Sequence, residues 1–181
     1  LAVMESSEQE LGRLDAAAGD GDHGAGMVRG FRAAVAAIAD DAGTAHRSFT
    51  RAGVGFQNAA GGASGALVGG WLIAIGTALP ADDDAVDAPA VAHALSSATE
   101  TLQRMGGAQA GDKTMLDTLI PFSKALTAAA QDNTSVAAAW AAAIPAAATG
   151  MLSTVDMISR RGRASRLGER SRGTQDAGAT S

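Results

Sequence analysis

The chain has 181 residues with no cysteine, so a disulfide framework, a thiolate metal site and a cysteine nucleophile are all excluded. Formal net charge is −5, but it is unevenly spread: residues 160–181 hold six arginines against two acids, and the preceding body is correspondingly acidic. An acidic body with few aromatics and no tyrosine does not suit phosphate neutralisation or base stacking, so no nucleic-acid partner is expected. No run of 18 or more apolar residues and no signal-type opening appear, so no membrane association is expected and the chain reads as cytoplasmic.

The opening stretch LAVMESSEQELGRLDAAA reads as a helix that runs into GDGDHG at residues 19–24. Met27, Phe31, Val35 and Ile38 then step by four, four and three, which predicts a helix over about 25–40. Ser64 is placed to cap a helix carrying Leu67, Trp71 and Ile75, with Pro80 ending it. ADDDAVDAPA at 81–90 reads as a solvated loop leading into a helix over 89–105, with Val91, Leu95 and Leu102 inward. The next helix is predicted to begin at Asp112, to contain Met115, Leu119, Ile120 and Phe122, and to kink at Pro121. SVAAAWAAAIPAAATGMLSTVDMIS at 135–159 reads as one long alanine-rich helix. No repeat and no strand pattern emerges, so the expectation is a single all-α domain of six or seven helices, with function in the glycine-rich breaks at 19–26, 61–65, 106–111 and 162–178.

GDGDHG matches the dinucleotide fingerprint G-x-G-x-x-G, but that reading needs a strand before the glycines and another after them. Both flanks read as helices. A calcium loop also fails, because its fifth position would be Gly24 and the distal Glu is missing. What remains is Asp15, Asp20 and Asp22 on a loop flexible enough to bring them together. Two carboxylates about 4 Å apart repel by about 4 kcal/mol at an effective dielectric near 20, and a divalent cation removes that cost. Oxygen-only ligands favour a hard ion such as Mg²⁺, which keeps positions open for substrate phosphates. The plainer alternative is a helix-capping Asp20 with Asp15 and Asp22 in solvent.

The remaining breaks admit two readings each. His23 is either a capping residue or a phosphate contact or general base. GGASG at 61–65 is either an anion-binding helix N-terminus with the Ser64 hydroxyl or a tight helix–helix turn. In AGDKTMLD at 110–117, Asp112 is an N-cap candidate with Thr114 and Met115 in the first turn, and Lys113 meets either phosphate or solvent. The arginine-rich tail is either a solvated basic segment or the site of one specific anion. A hydrolase trio of Ser64, His23 and an Asp is allowed by composition, with nothing to orient it.

Four segments, LDAAAGDGDHGAGM, GGASGALVGG, AGDKTMLDTLIP and GRASRLGERSRGTQDAGATS, resemble in order the motifs of the nucleotide-binding L subunit of dihydroxyacetone kinase. The resemblance runs from about Leu14 to Ser181. It implies an antiparallel α-helical barrel with nucleotide-binding loops at one end, Mg²⁺ (two ions) as cofactor, and ADP or ATP as nucleotide. It carries metal-binding and catalytic roles onto Asp15, Asp20 and Asp22, and a catalytic and closing role onto Arg163. Nucleotide contacts fall on His23, Gly24, Ala25 and Gly26, on Ala63 and Ser64, on Gly106, Thr114 and Met115, and on Asp176, Ala177 and Gly178.

The partner implied is a K subunit that holds dihydroxyacetone on a histidine this chain lacks. A phosphotransferase-system M subunit would recharge the retained ADP, because His23 stands where fused, ATP-using enzymes tend to carry Cys or Thr. A homodimer is left open. Alternatives from the same resemblance are a kinase component for another small ketose and a regulatory protein contacting a transcription factor. The sequence departs from the family at Gly26, Arg166 and Ala177, where Asn, Tyr and Pro are usual. The family domain also extends further at both ends, so part of the first and last helices is expected to be missing here.

Overall fold

Apolar residues three and four apart pair naturally into helices that hide one stripe each, and short links make successive helices antiparallel neighbours. In the computed structural model, which describes residues 1–39, 43–82, 85–131 and 134–181, seven long helices follow one another. They are α1 (Ala2–Ala16), α2 (His23–Ile38), α3 (Ala45–Ala60), α4 (Gly62–Ala78), α5 (Ala88–Gly106), α6 (Leu116–Ala129) and α7 (Val136–Ser153). A 3₁₀ turn (Thr154–Asp156), an irregular 3₁₀ segment (Arg163–Ser171) and a single-turn α8 (Ala177–Thr180) complete the chain. No strand occurs among the described residues, so the dinucleotide fingerprint at 19–24 has no Rossmann unit around it.

Each long helix packs on its sequence neighbours, and α8 touches α1, α6 and α7, bridging the two ends of the row. The result is the expected all-α antiparallel barrel. Its walls hold two apolar clusters. Met27, Phe56, Val68 and Leu72 join α2, α3 and α4, with the Phe31 and Phe56 rings edge to face at 5.1 Å. Ile75, Leu95, Phe122, Leu126 and Ala143 join α4 to α7. Between them lies an apolar cavity of about 350 Å³ lined by Phe31, Val68, Trp71, Met115, Ile144 and Met151. Glycine lets the helices approach closely: a Cβ on Gly53 would lie 2.7 Å from the Gly69 carbonyl, and one on Gly24 would lie 2.0 Å from the Glu8 carbonyl. Ordinary side chains would hold α3 from α4, and α1 from α2, further apart.

The predicted helices differ from the observed ones mainly at their starts. The α4 helix begins at Gly62 with Gly61 at its cap, so Ser64 lies inside the first turn and does not cap it. The α6 helix begins at Leu116, not Asp112, because Lys113 takes a left-handed φ of 62° that no helix accommodates. It runs on through Pro121. The α7 helix likewise contains Pro145 and stops at Ser153, short of the predicted 159. By length and composition alone, Val136–Asp156 is apolar enough to cross a membrane, and 17% of its most apolar window is buried. Asp40, the predicted end of α2, and Asp83 and Asp84 of the acidic loop lie outside the described residues.

Candidate functional site

One end of the barrel opens into a cleft of about 460 Å³. Its walls come from the α1–α2 loop, the α3–α4 junction, Lys113, and the segments 159–164 and 174–177.

Asp15 sits in the last turn of α1, and its Oδ2 accepts the backbone N–H of Gly21 at 2.8 Å and that of His23 at 3.4 Å. Gly21, at φ 80°, supplies the reversal that folds the loop back over α1. Asp20 and Asp22 are thereby delivered to Asp15: one carboxylate oxygen from each of the three lies within 4.8 Å of the other two. Asp22 occupies the N-cap position of α2 yet makes no capping bond with its side chain. Asp20 pairs with the Arg163 guanidinium. The capping alternative for Asp20 is therefore not realised. A charge cluster has been assembled with one guanidinium against three acids, and its donor set, all oxygen, fits a hard divalent cation.

His23 opens α2 and lies between two hydroxyls, with Nδ1 3.3 Å from Ser64 Oγ and Nε2 3.1 Å from Ser181 Oγ. Burial pushes its pKa below the ordinary value, against the opposing pull of Asp15 and Asp22. The ring is thus neutral near pH 7, donating through one nitrogen and accepting through the other. Because its second nitrogen meets Ser181 and no carboxylate, Ser64 and His23 do not form a hydrolase triad.

Gly61 and Gly62 both have positive φ, and a Cβ on either would meet nothing within 4 Å. They open the entrance to α4, whose first-turn residues Gly62, Ala63 and Ser64 line the cleft and whose first N–H groups have no partner within the helix. A helix N-terminus with unpaired donors is a ready site for an oxyanion.

The far wall is tied down from the 111–117 turn. Asp117 accepts the N–H groups of Gly111 at 2.5 Å and Thr114 at 2.8 Å. Buried Asp112 takes Arg161 Nε at 2.9 Å through its side chain and Arg160 N–H at 3.1 Å through its carbonyl. Lys113 lines the cleft yet is buried, with its ammonium taken up by the protein: Nζ donates to the carbonyls of Ser171 and Thr174, both at 2.7 Å, and of Met157 at 3.3 Å. Asp176 caps α8 by accepting Ala179 N–H at 2.8 Å. Burial raises its pKa to about 6, with the Ala179 hydrogen bond and the Lys113 charge opposing and Asp117 adding to the rise.

Of the residues singled out from the sequence, Asp15, Asp20, Asp22, His23, Gly26, Ala63, Ser64, Arg163, Asp176 and Ala177 line this one cleft. Gly24 is buried against α1, with Ala25 beside it on the first turn of α2. Gly106 ends α5, while Met115 and Gly178 line the apolar cavity and Thr114 lies in the turn held by Asp117. Gly61 and Gly62 fall in the 61–65 break that the sequence points to, whereas sequence reasoning missed Arg29 and Arg161. Arg29 carried a usable signal, since it falls two helical turns beyond Asp22 on the same face.

Fold and site together define an all-helical barrel with an oxygen-rich, glycine-walled cleft at one end. The chain belongs to the DAK2 domain family, which it matches over residues 17–181. It is 43% identical to the D-erythrulose kinase of Mycolicibacterium smegmatis, with 99% of this chain and 31% of that protein covered. It is 38% identical to the ADP-binding subunit DhaL of the phosphoenolpyruvate-dependent dihydroxyacetone kinase of Escherichia coli, with 99% of this chain and 85% of that subunit covered. The chain thus spans about a third of the length of the erythrulose kinases and most of the length of the separate subunit. The crystal structure of the dihydroxyacetone kinase from C. freundii in complex with AMP-PNP and Mg²⁺ superposes with a TM-score of 0.73 at 26% identity, over 99% of this chain and 29% of that one.

Proposed function

We propose that this chain is the nucleotide-holding component of a dihydroxyacetone kinase, a single domain acting in the cytoplasm. The observation that carries the reading is the convergence of Asp15, Asp20 and Asp22 opposite the open N-terminus of α4. These acids would hold Mg²⁺, two ions in the full assembly, and through it the phosphates of ADP or ATP. When bound, Mg²⁺ neutralises charge on the phosphoryl group in transit. The chain's own residues do the positioning. Asp15 fixes the loop through the Gly21 and His23 amides. The α4 N-terminus offers N–H donors to a phosphate oxygen, and neutral His23 orients the Ser64 hydroxyl beside them. Arg163 lies close enough to the acids to exchange Asp20 for a phosphate oxygen. Asp176, Ala177 and Gly178 would close over the nucleotide. Gly24, Ala25 and Gly26, with Gly106, Thr114 and Met115, would complete its surroundings.

The ketose would sit on a K subunit, and an M subunit would rephosphorylate ADP in place, a reading supported by the 38% identity to a phosphoenolpyruvate-dependent subunit. The identity to D-erythrulose kinase favours a second reading, a component acting on a four-carbon ketose with free ATP. Reconstitution separates them. The chain is mixed with a K subunit loaded with dihydroxyacetone or with erythrulose and supplied with either phosphorylated M subunit or ATP. Sugar phosphate formed with the phosphoprotein supports the first reading, and formation with ATP and erythrulose alone supports the second. No product under any arm removes both.

A further inference from the structure

Lys113 is the only non-glycine residue with positive φ among the described residues, and it is also a buried lysine. Strained backbone of this kind persists where the surroundings over-determine it. Here Asp117 clamps the turn on both sides, through Gly111 and Thr114, and aims the lysine stem inward. An ammonium has three N–H donors, and Nζ faces three carbonyls: Met157 before the irregular segment, Ser171 at its end and Thr174 after it. No donor remains for a phosphate. The two ends of segment 157–174 are thus gathered onto one cation, while the adjacent Asp112 holds Arg160 and Arg161 near its start. Ser171 Oγ, donating to Gly168 O and accepting Ser159 N–H, closes the same segment on itself. This is the segment that carries Arg163 to Asp20.

We propose that Lys113 is a positioning residue that preassembles the 157–174 wall of the cleft, so that nucleotide binds a wall already in place. The proposal rests on the nucleotide reading above and assigns Lys113 no contact with substrate.

The test uses the full chain with two substitutions, Lys113→Met and Lys113→Gly. The second suits the left-handed backbone and guards against failure of the first to fold. Three quantities are read: Mn²⁺ binding by EPR, MgADP binding by calorimetry, and the rate of tryptic cleavage at Arg160 to Arg172. Mn²⁺ affinity is expected to hold. MgADP affinity should fall about tenfold or more, as follows if the assembled wall is populated a tenth of the time, and cleavage should accelerate in step. Because the chain has no cysteine, Lys113→Cys aminoethylated in denaturant and refolded restores an ammonium at this one site, and should restore both affinity and protease resistance. Unchanged MgADP affinity in a folded variant overturns the proposal alone. Failure of aminoethylation to rescue a folded chain also overturns it, since a purely space-filling role would not need the charge. Absence of MgADP binding by the unsubstituted chain overturns the nucleotide reading together with the proposal.

Discussion

Replacing Asp22 with Asn should stabilise the metal-free protein and weaken its response to Mg²⁺. The side chain makes no capping bond, so the isosteric amide costs no structural contact. What changes is charge. At 4.8 Å, the outer limit of the cluster, two carboxylates repel by about 3.5 kcal/mol at a dielectric of 20 and about 0.9 kcal/mol in bulk water. Asp20 and Asp22 are exposed, so the lower figure is the better guide. Asp22 faces two such partners, one of them already offset by Arg163. The net relief is about 1 kcal/mol, or about 2–4 °C in Tm for a chain of this size. With millimolar Mg²⁺ the order reverses. The unsubstituted chain gains stability by binding the ion to its folded state only, and Asp22→Asn gains half as much or less, having lost one of three ligands. Differential scanning calorimetry in EDTA and in Mg²⁺ reads both signs. A lower Tm for the variant in EDTA, or an equal Mg²⁺-induced rise in both proteins, would refute the reasoning, because a capping or solvated aspartate predicts those results.

Other consequences are as specific. Asp176 has its pKa raised to about 6, above its unfolded value, so the folded state binds the extra proton and stability falls as pH rises from about 4 to 6. Asp176→Asn keeps an oxygen for Ala179 and removes the ionisation, so its Tm should exceed that of the unsubstituted chain above pH 6 and match it near pH 4, in a pH series of melts. Gly24→Ala places a methyl 2.0 Å from the Glu8 carbonyl and should wedge α1 from α2, lowering stability by about 2 kcal/mol or more in urea melts. Arg163→Ala removes only an exposed ion pair, so stability should move by less than about 1 kcal/mol. If the guanidinium acts on charge at the phosphate as proposed, phosphoryl transfer in the reconstituted assay should nonetheless fall by more than about tenfold.

The helices are legible where apolar spacing is clean, as in α2, α4 and α5, whereas the meeting of the breaks at 19–26, 61–65 and 162–178 in one cleft follows from the family resemblance and not from spacing. The α3 helix was not assigned a range, and the reason is physical. Gly53 and Gly55 are poor helix formers, but they stand where the α4 and α2 backbones come too close for any side chain. Packing overrides propensity there, and packing is a property of the partner helices. The start of α6 was misplaced for a related reason. Asp112 resembles an N-cap in isolation, but its carboxylate is taken by Arg161, 49 residues away. From the sequence Lys113 faces either phosphate or solvent, and a buried lysine is rare unless paired. Only the loop carbonyls of Met157, Ser171 and Thr174, distant in sequence, make that burial favourable. The three acids were readable because their spacing is local, whereas the pairing of Asp20 with Arg163 spans 143 residues.

The claim that everything else depends on is that the acids bind metal and the metal binds the nucleotide. Titration of ADP into the full chain by calorimetry, once with Mg²⁺ and once with EDTA, tests it directly. Saturable binding with Mg²⁺ that disappears in EDTA, and that Asp20→Asn and Asp22→Asn each weaken, is the predicted result. Equal affinity in Mg²⁺ and EDTA, or affinity indifferent to both substitutions, would contradict it.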